Sequence, residues 1–365
     1  MRIKTFWITW FVFSIFMYGS TLKKIGKINN FEIDSNAQIV SNGNILINPH
    51  YKKVIRNKLV DHILTGINFY DIKDIEHPKV IHIMSAKDYP LEIDISKDNK
   101  YLFVLQDTLK IYNIENVKNP KLVALYYLDN SGEVSFCFSK KNYFYITKPL
   151  FKAPIRRYSN RALYVYDIAK IEDIRLLSKK SIDGIGRIWI SSNEKKLFYT
   201  LGRYDSTIMP HKQIGLADIS DIKHIKVVDE SWRYFVGRGS HASVWSAFFS
   251  QDDKYLYIAS GTYGVMVYDV SHNSLDLIQR TAGRKVLKFL NCTDGIYDIE
   301  HDEAFERFFA VGYQENEKKL KKLSCIKGVK EAYYIEGATS VLLEKRKMLL
   351  VQNYVHDHRV DIYRW

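Results

Sequence analysis

Cysteine is scarce: the 365-residue chain has three, Cys137, Cys292 and Cys325. Three thiols cannot form a disulfide framework in a chain of this length, and with no CxxC pair there is no basis for a cysteine-held zinc site. Cys137 lies in the alternating run VSFCFS and reads as a buried thiol, whereas Cys292 and Cys325 flank one candidate repeat and could pair if oxidised. A GxSxG elbow is also missing, which removes the usual anchor for a Ser/His/Asp triad. After residue 20 no stretch is apolar enough to cross a bilayer.

The N-terminal segment is the exception to that polarity. Arg2 and Lys4 precede an apolar run from Phe6 to Tyr18, followed by Gly19 and Ser20, which is the layout of a secretory signal. Tyr18 occupies a place where cleavage wants a small side chain. Residues 1–20 therefore read either as a cleaved signal peptide or as a retained anchor using residues 5–18. Both place residues 21–365, taken as a single domain, in the periplasm or outside the cell, with membrane association only through that segment. Lys and Arg exceed Asp and Glu by 54 to 41, a net charge of +13. Much of the excess is lysine scattered through turns such as SKDNK and SNEKK, so nucleic acid is not expected as a partner. The acidic partners open to an exported protein are lipid head groups, surface polysaccharide and acidic proteins.

Hydrophobic residues make up 46% of the chain and aromatics 14%, enough for a packed core and weighted toward strands. The main signal is repetition. INFYDIKD, LKIYNIEN, LYVYDIAK and GVMVYDVS each end a strand in Tyr followed by Asp71, Asn113, Asp167 or Asp269, and IGLADIS adds Asp218 with Ala217 in the tyrosine place. VDIYRW, with Tyr363 and Arg364, reads as a last copy, and a copy near 312–318 has lost its signature. A hairpin precedes the phrase in each unit, as in AFFSQDDKYLYIASG, and a fourth strand such as KLVALYYL follows it. Four antiparallel strands in about 40 to 55 residues is the period of a propeller blade. The expectation is an all-β, seven-bladed β-propeller of four-stranded antiparallel blades, with six or eight left open by the degenerate sixth unit. Because the last unit stops after three strands, LKKIGKI (Leu22 to Ile28) is expected to supply its fourth and close the ring.

INFYDIKDIEHPKVI, LKIYNIENVKNPKLV, LYVYDIAKIEDIRLL and VMVYDVSHNSLDLI resemble the units of LVIVD-repeat β-propeller proteins, which are exported by bacteria and archaea. The likeness runs from Ile67 to Leu277 and is faint after Lys285. It implies a propeller outside the cytoplasm and no activity, since that family has no shared catalytic residues to carry over.

The repeated carboxylates are read as structural: an Asp or Asn ending a strand accepts from the backbone N–H two residues on and sets the turn. Recognition is expected where the repeats differ, in the loops between second and third strands and the connections entering each inner strand. On that face Arg156, Arg157, Arg161, Arg203, Tyr204, Arg238, His241 and Tyr263 are the candidate ligand- or partner-binding residues, of types favoured at recognition surfaces. The reading is a binding module for an envelope protein or an anionic polysaccharide, without cofactor and without catalytic residues. The alternative is a hydrolase or lyase using channel-mouth carboxylates (Asp205, Asp294 and Glu336) or a metal on His356 and His358 with His211 or His241.

Overall fold

The computed structural model describes residues 22–29, 31, 37–40, 43–56, 59–85, 92–96, 98–105, 108–127, 135–139, 141–149, 161–201, 214–231, 244, 246–261, 264–280, 295–301, 307–313, 320–322, 326–336, 339–353 and 359–365. The reading of residues 1–20 as a signal or anchor, and that of Cys292 with Cys325, lie outside the described residues.

Alternating apolar residues between turn signals make strands throughout, and these assemble four at a time. β1 (Lys23–Asn29) stands apart in sequence from its sheet. The first sheet is β2 (Gln38–Val40), β3 (Ile45–Arg56), β4 (Leu59–Asp71) and β5 (Lys79–Ser85). The second is β6 (Glu92–Ile95), β7 (Tyr101–Leu105), β8 (Thr108–Asn113) and β9 (Lys121–Tyr127). The third is β10 (Ser135–Phe138), β11 (Tyr143–Pro149), β12 (Arg161–Asp167) and β13 (Arg175–Ser181). The fourth is β14 (Ile185–Ile190), β15 (Lys196–Leu201), β16 (Ile214–Asp218) and β17 (Lys226–Ser231). The fifth is β18 (Ser246–Phe249), β19 (Tyr255–Ala259), β20 (Val265–Asp269) and β21 (Asp276–Arg280). All of these pair antiparallel in sequence order.

A sixth sheet contains β22 (Gly295–His301), β23 (Arg307–Tyr313), β24 (Leu320–Lys322) and β25 (Glu331–Glu336). Its spatial order is β22-β23-β25-β24, and β25 runs parallel to β23. The last sheet is β26 (Thr339–Leu343), β27 (Met348–Asn353) and β28 (Arg359–Arg364), with β1 antiparallel on β28 from Lys23↔Arg364 to Asn29↔Arg359. Six sheets are thus wholly antiparallel four-stranded blades, and the remaining one is mixed. This corrects the expectation of seven antiparallel copies. Where the tyrosine-aspartate phrase was missing, the chain places its short third segment at the edge and returns a later one beside β23.

Packing explains why middle strands are nearly continuous apolar runs. β19 (YLYIA) is buried at every position, because neighbouring sheets cover both of its faces. Hydrophobic clusters form between successive sheets: Phe69 with Val104, Phe103 with Phe144, Tyr145 with Tyr199, Phe198 with Leu256, Tyr257 with Phe308, and Phe309 with Trp365. A further cluster joins Leu46 and Ile72 of the first sheet to Val341 and Leu350 of the last. Across that junction Arg346 donates from Nη1 to Ile72 O at 2.5 Å and from Nη2 to Lys73 O at 3.1 Å. Outer strands look different. In β9 and β13 the burial alternates only weakly, and Leu122, Tyr127 and Leu176 are exposed. Four-stranded antiparallel blades packed face to face in sequence order make a β-propeller.

Two local devices repeat with the blades. The first is the turn between first and second strands, where Gly43, Asn99, Asn142, Glu194, Asp253 and Lys347 all have positive φ, from 52° to 83°. Glycine and asparagine adopt that conformation at least cost. The second is the exit of the third strand. Asp71, Asn113, Asp167, Asp218 and Asp269 each accept through Oδ1, at 2.9 Å, from the backbone N–H two residues on. This is the turn expected from the sequence, and it makes the repeated acids structural.

Candidate functional site

The strand ladders sort the connections onto two ends of the molecule. One end carries the turns just described. The other carries the links from second to third strands and from each outer strand to the next inner one, beginning for example where Pro149 faces Arg161 and Ala162 faces Ser181. Of the eight candidate binding residues, Arg161 is described: it opens β12 and is 4% exposed, so its guanidinium is part of the blade rather than a free loop group. Arg156, Arg157, Arg203, Tyr204, Arg238, His241 and Tyr263 lie outside the described residues, as do His211, His356, His358, Asp205 and Asp294. Glu336 ends β25 opposite Gly312. Among the described residues no group of three or more His, Cys, Asp or Glu side chains could hold a metal ion.

The structure adds a constellation on the inner strands of the second, third and fourth sheets. In β6 the alternation Glu92-Ile93-Asp94-Ile95 sends both isoleucines to the junction with the first sheet, where Ile93 is buried. The two acids are therefore committed to the opposite side. There Phe136 N–H, on the edge of β10 that no strand of its own sheet covers, donates to Glu92 Oε2 at 2.9 Å. Asp94 Oδ1 accepts from Ile95 N–H at 2.8 Å. Burial raises Glu92 to about 7, outweighing the Phe136 hydrogen bond and the positive charge of Arg187 on β14. Burial also raises Asp94, to about 6.

Cys137, on β10, completes the group. It is a free cysteine, and burial together with the charges of Asp94 and Glu92 holds its thiol well above its ordinary range. A thiol so protected is no nucleophile. The carboxyls are another matter: an acid near 7 can carry a proton at neutral pH, and Arg187 supplies a fixed cation beside it. Neighbouring hydroxyls tie the same strands together. Thr147 Oγ1 donates to Gly186 O at 2.9 Å, and Arg187 N–H donates to Thr200 Oγ1 at 2.9 Å. Glu92 and Asp94 carry no mark in the sequence, because alternating acids in a strand look the same whether they face solvent or the middle of a ring.

Comparison with solved structures finds the crystal structure of a protein from Lactobacillus plantarum, with a TM-score of 0.58, covering 90% of this chain and 85% of that one at 12% identity. That likeness is one of fold. No family model matches the chain, and no curated protein matches it. The resemblance to LVIVD-repeat proteins therefore rests on the quoted phrases alone.

Proposed function

We propose that the chain is an extracytoplasmic seven-bladed propeller that binds an envelope protein or an anionic glycan through the loop-bearing end of its ring. The blade count rests on seven four-stranded sheets and on hydrophobic clusters that link each sheet to the next, including the last to the first. Closure by the N-terminal strand rests on the β1–β28 ladder. The home outside the cytoplasm rests on the layout of residues 1–20 and on the LVIVD-like phrases.

The observation that carries the binding reading is the charge of the segments attached at one end. Residues 150–160, 202–213, 232–243 and 281–294 contain Lys152, Arg156, Arg157, Arg203, Lys212, Arg233, Arg238, Arg284, Lys285 and Lys288 against Asp205 and Asp294 alone. Strands of the third to sixth sheets hold the ends of these segments on one side of a rigid scaffold. Arginine there makes charge-assisted bonds to carboxylate, sulfate or phosphate. The test is capture from the protein's own envelope in mild detergent. Wild type retains a partner, the Arg156→Glu, Arg157→Glu double variant loses it with its melting temperature unchanged, and equal capture by both overturns the reading.

A second reading, a hydrolase or lyase, is favoured by the proton-carrying Glu92 beside Asp94 and Arg187. Glu92→Gln then abolishes turnover of envelope polysaccharide while leaving capture intact. The metal-dependent form of this reading requires stoichiometric metal that disappears with His356→Ala and His358→Ala.

A further inference from the structure

In the third, fifth and sixth sheets the connection beside the fourth strand lies against the outer strand of the preceding blade, and a side chain reaches across. Asp229 of β17 accepts at Oδ2 from Leu275 N–H at 2.7 Å, and Gln279 of β21 accepts at Oε1 from Lys327 N–H at 2.8 Å. These residues occupy one ladder position: Asp229 faces Leu216 and Gln279 faces Val267, in each case just past the bulge. In β13 the same position, facing Val165, is Ser178. Its side chain is too short to make the bridge, and its buried Oγ finds no hydrogen-bond partner.

What the missing bridge leaves is a cleft of about 320 Å³ between the third and fourth sheets, at the outer rim. Ser178, Lys180, Lys223, His224 and Lys226 line it, with Ile222 and Ile225 as apolar wall; Lys179 borders it too, but its ammonium sits over the Tyr164 ring, 5.3 Å from the centroid. Two acids stand beside these cations. Asp221 accepts from the 3-10 turn at Lys223 N–H and contacts His224 Nδ1 at 2.7 Å, and Asp218 faces Lys226 across the ladder. Lys180, Lys223 and Lys226 against these two acids still leave the cleft with a net positive charge. Its size exceeds that of a bare oxyanion and suits one sugar ring with its ester group.

We infer that this cleft is a second binding site, taking the phosphate or sulfate ester of a sugar-sized ligand. The lysines neutralise the ester charge, the isoleucines cover the carbon face of the ring, and Ser178 is the reason the space exists. Neither Arg156 nor Arg157 is among the residues that line the cleft, and the site does not depend on the loop-face reading. The same ester chemistry comes from two sources, a free sugar phosphate or a sulfated polysaccharide.

The test is calorimetric titration of the full chain with glucose 6-phosphate, glucose, dextran sulfate and dextran. One glucose 6-phosphate per chain is expected, with no binding of glucose. Dextran sulfate binding tighter than the monomeric ester assigns the polymer as source, and the reverse order assigns the free ester. Lys223→Gln, an exposed change, should weaken binding more than tenfold when combined with Lys180→Gln. Ser178→Gln should do the same with no change of charge, by filling the cleft as Gln279 fills its counterpart. Binding unchanged in both variants, or equal binding of dextran and dextran sulfate, overturns the inference. The Arg156→Glu, Arg157→Glu variant serves as control, since it should bind glucose 6-phosphate as wild type does whether or not it captures an envelope partner.

Discussion

Lys24 on β1 and Asp361 on β28 form an ion pair of 2.7 Å in which the carboxylate is buried, at 3% side-chain exposure, and the ammonium is 39% exposed. Arg359 Nε also reaches Asp361 Oδ1, at 3.0 Å. The two ends of this pair should respond differently to removal. Asp361→Ala leaves two cations without their shared acceptor and is expected to cost about 3 kcal/mol, whereas Lys24→Ala removes a half-exposed partner and costs about 1 kcal/mol or less. Urea unfolding of both variants checks this, and equal losses would contradict it.

Gly215 on β16 faces Tyr199 on β15, and a Cβ at Gly215 would overlap the tyrosine ring. The hydroxyl end of the ring covers the glycine, and the hydroxyl donates to Glu230 Oε1 at 3.0 Å. Gly215→Ala is expected to cost about 2 kcal/mol, in the range of overpacked core changes. In a Tyr199→Leu background the same change should cost far less. Additive losses in the double variant would show that the two residues do not compete for one space.

Glu92 makes stability depend on pH in a predictable sense. Its folded value, about 7, lies above the ordinary 4.5, so the folded state binds the proton more tightly than the unfolded one. That contribution is present in full below about pH 4.5 and is lost as the pH rises through 7. Glu92→Gln keeps an acceptor for Phe136 N–H and removes the titration. The variant is expected to exceed wild type by about 2 kcal/mol at pH 8 and to match it at pH 4.5, read from thermal melts across the range. A gain independent of pH would refute the assignment.

Asp269 tests the structural role of the recurring phrase. Ser271 donates to it from both its N–H, at 2.9 Å, and its Oγ, and these bonds hold its carboxyl below the usual range. Its stabilising effect is therefore present above the ordinary carboxylate pKa and lost on acidification. Asp269→Ala should lower stability by about 1 kcal/mol at pH 7, and by less at pH 3, with capture of any partner unchanged. Loss of capture without loss of stability would overturn the structural role of Asp269.

Much of the scaffold was readable in advance because short-range chemistry sets it. Asp71, Asp167 and Asp269 mark the ends of third strands through a bond to the backbone two residues on, and such local bonds leave the same signature in every unit. The partnership of Lys23–Asn29 with Arg359–Arg364 was visible as a strand missing from one unit and surplus in another. What escaped notice depends on position within the ring. Glu92 and Asp94 alternate with isoleucines as any half-exposed strand would, and only burial among the inner strands, which the hydrogen bond from Phe136 and the charge of Arg187 partly oppose, raises the pKa of both acids. Ser178 is an ordinary serine among lysines until Asp229 and Gln279 show what its position does elsewhere. The parallel pairing of Glu331–Glu336 on Arg307–Tyr313 left no local mark, since either strand direction satisfies the same apolar alternation.

The ladder between Asn29 and Arg359 also closes a loop of nearly the whole chain. Among the described strands β1 is the earliest in sequence, yet its hydrogen-bond partner, β28, is the latest. Until the two meet the first blade packs against nothing on one side, and Leu46 and Ile72 wait for Val341 and Leu350. Contacts elsewhere join sheets that are neighbours in sequence, whereas this seam joins segments more than 300 residues apart, so its formation carries the largest loop-closure cost in the ring.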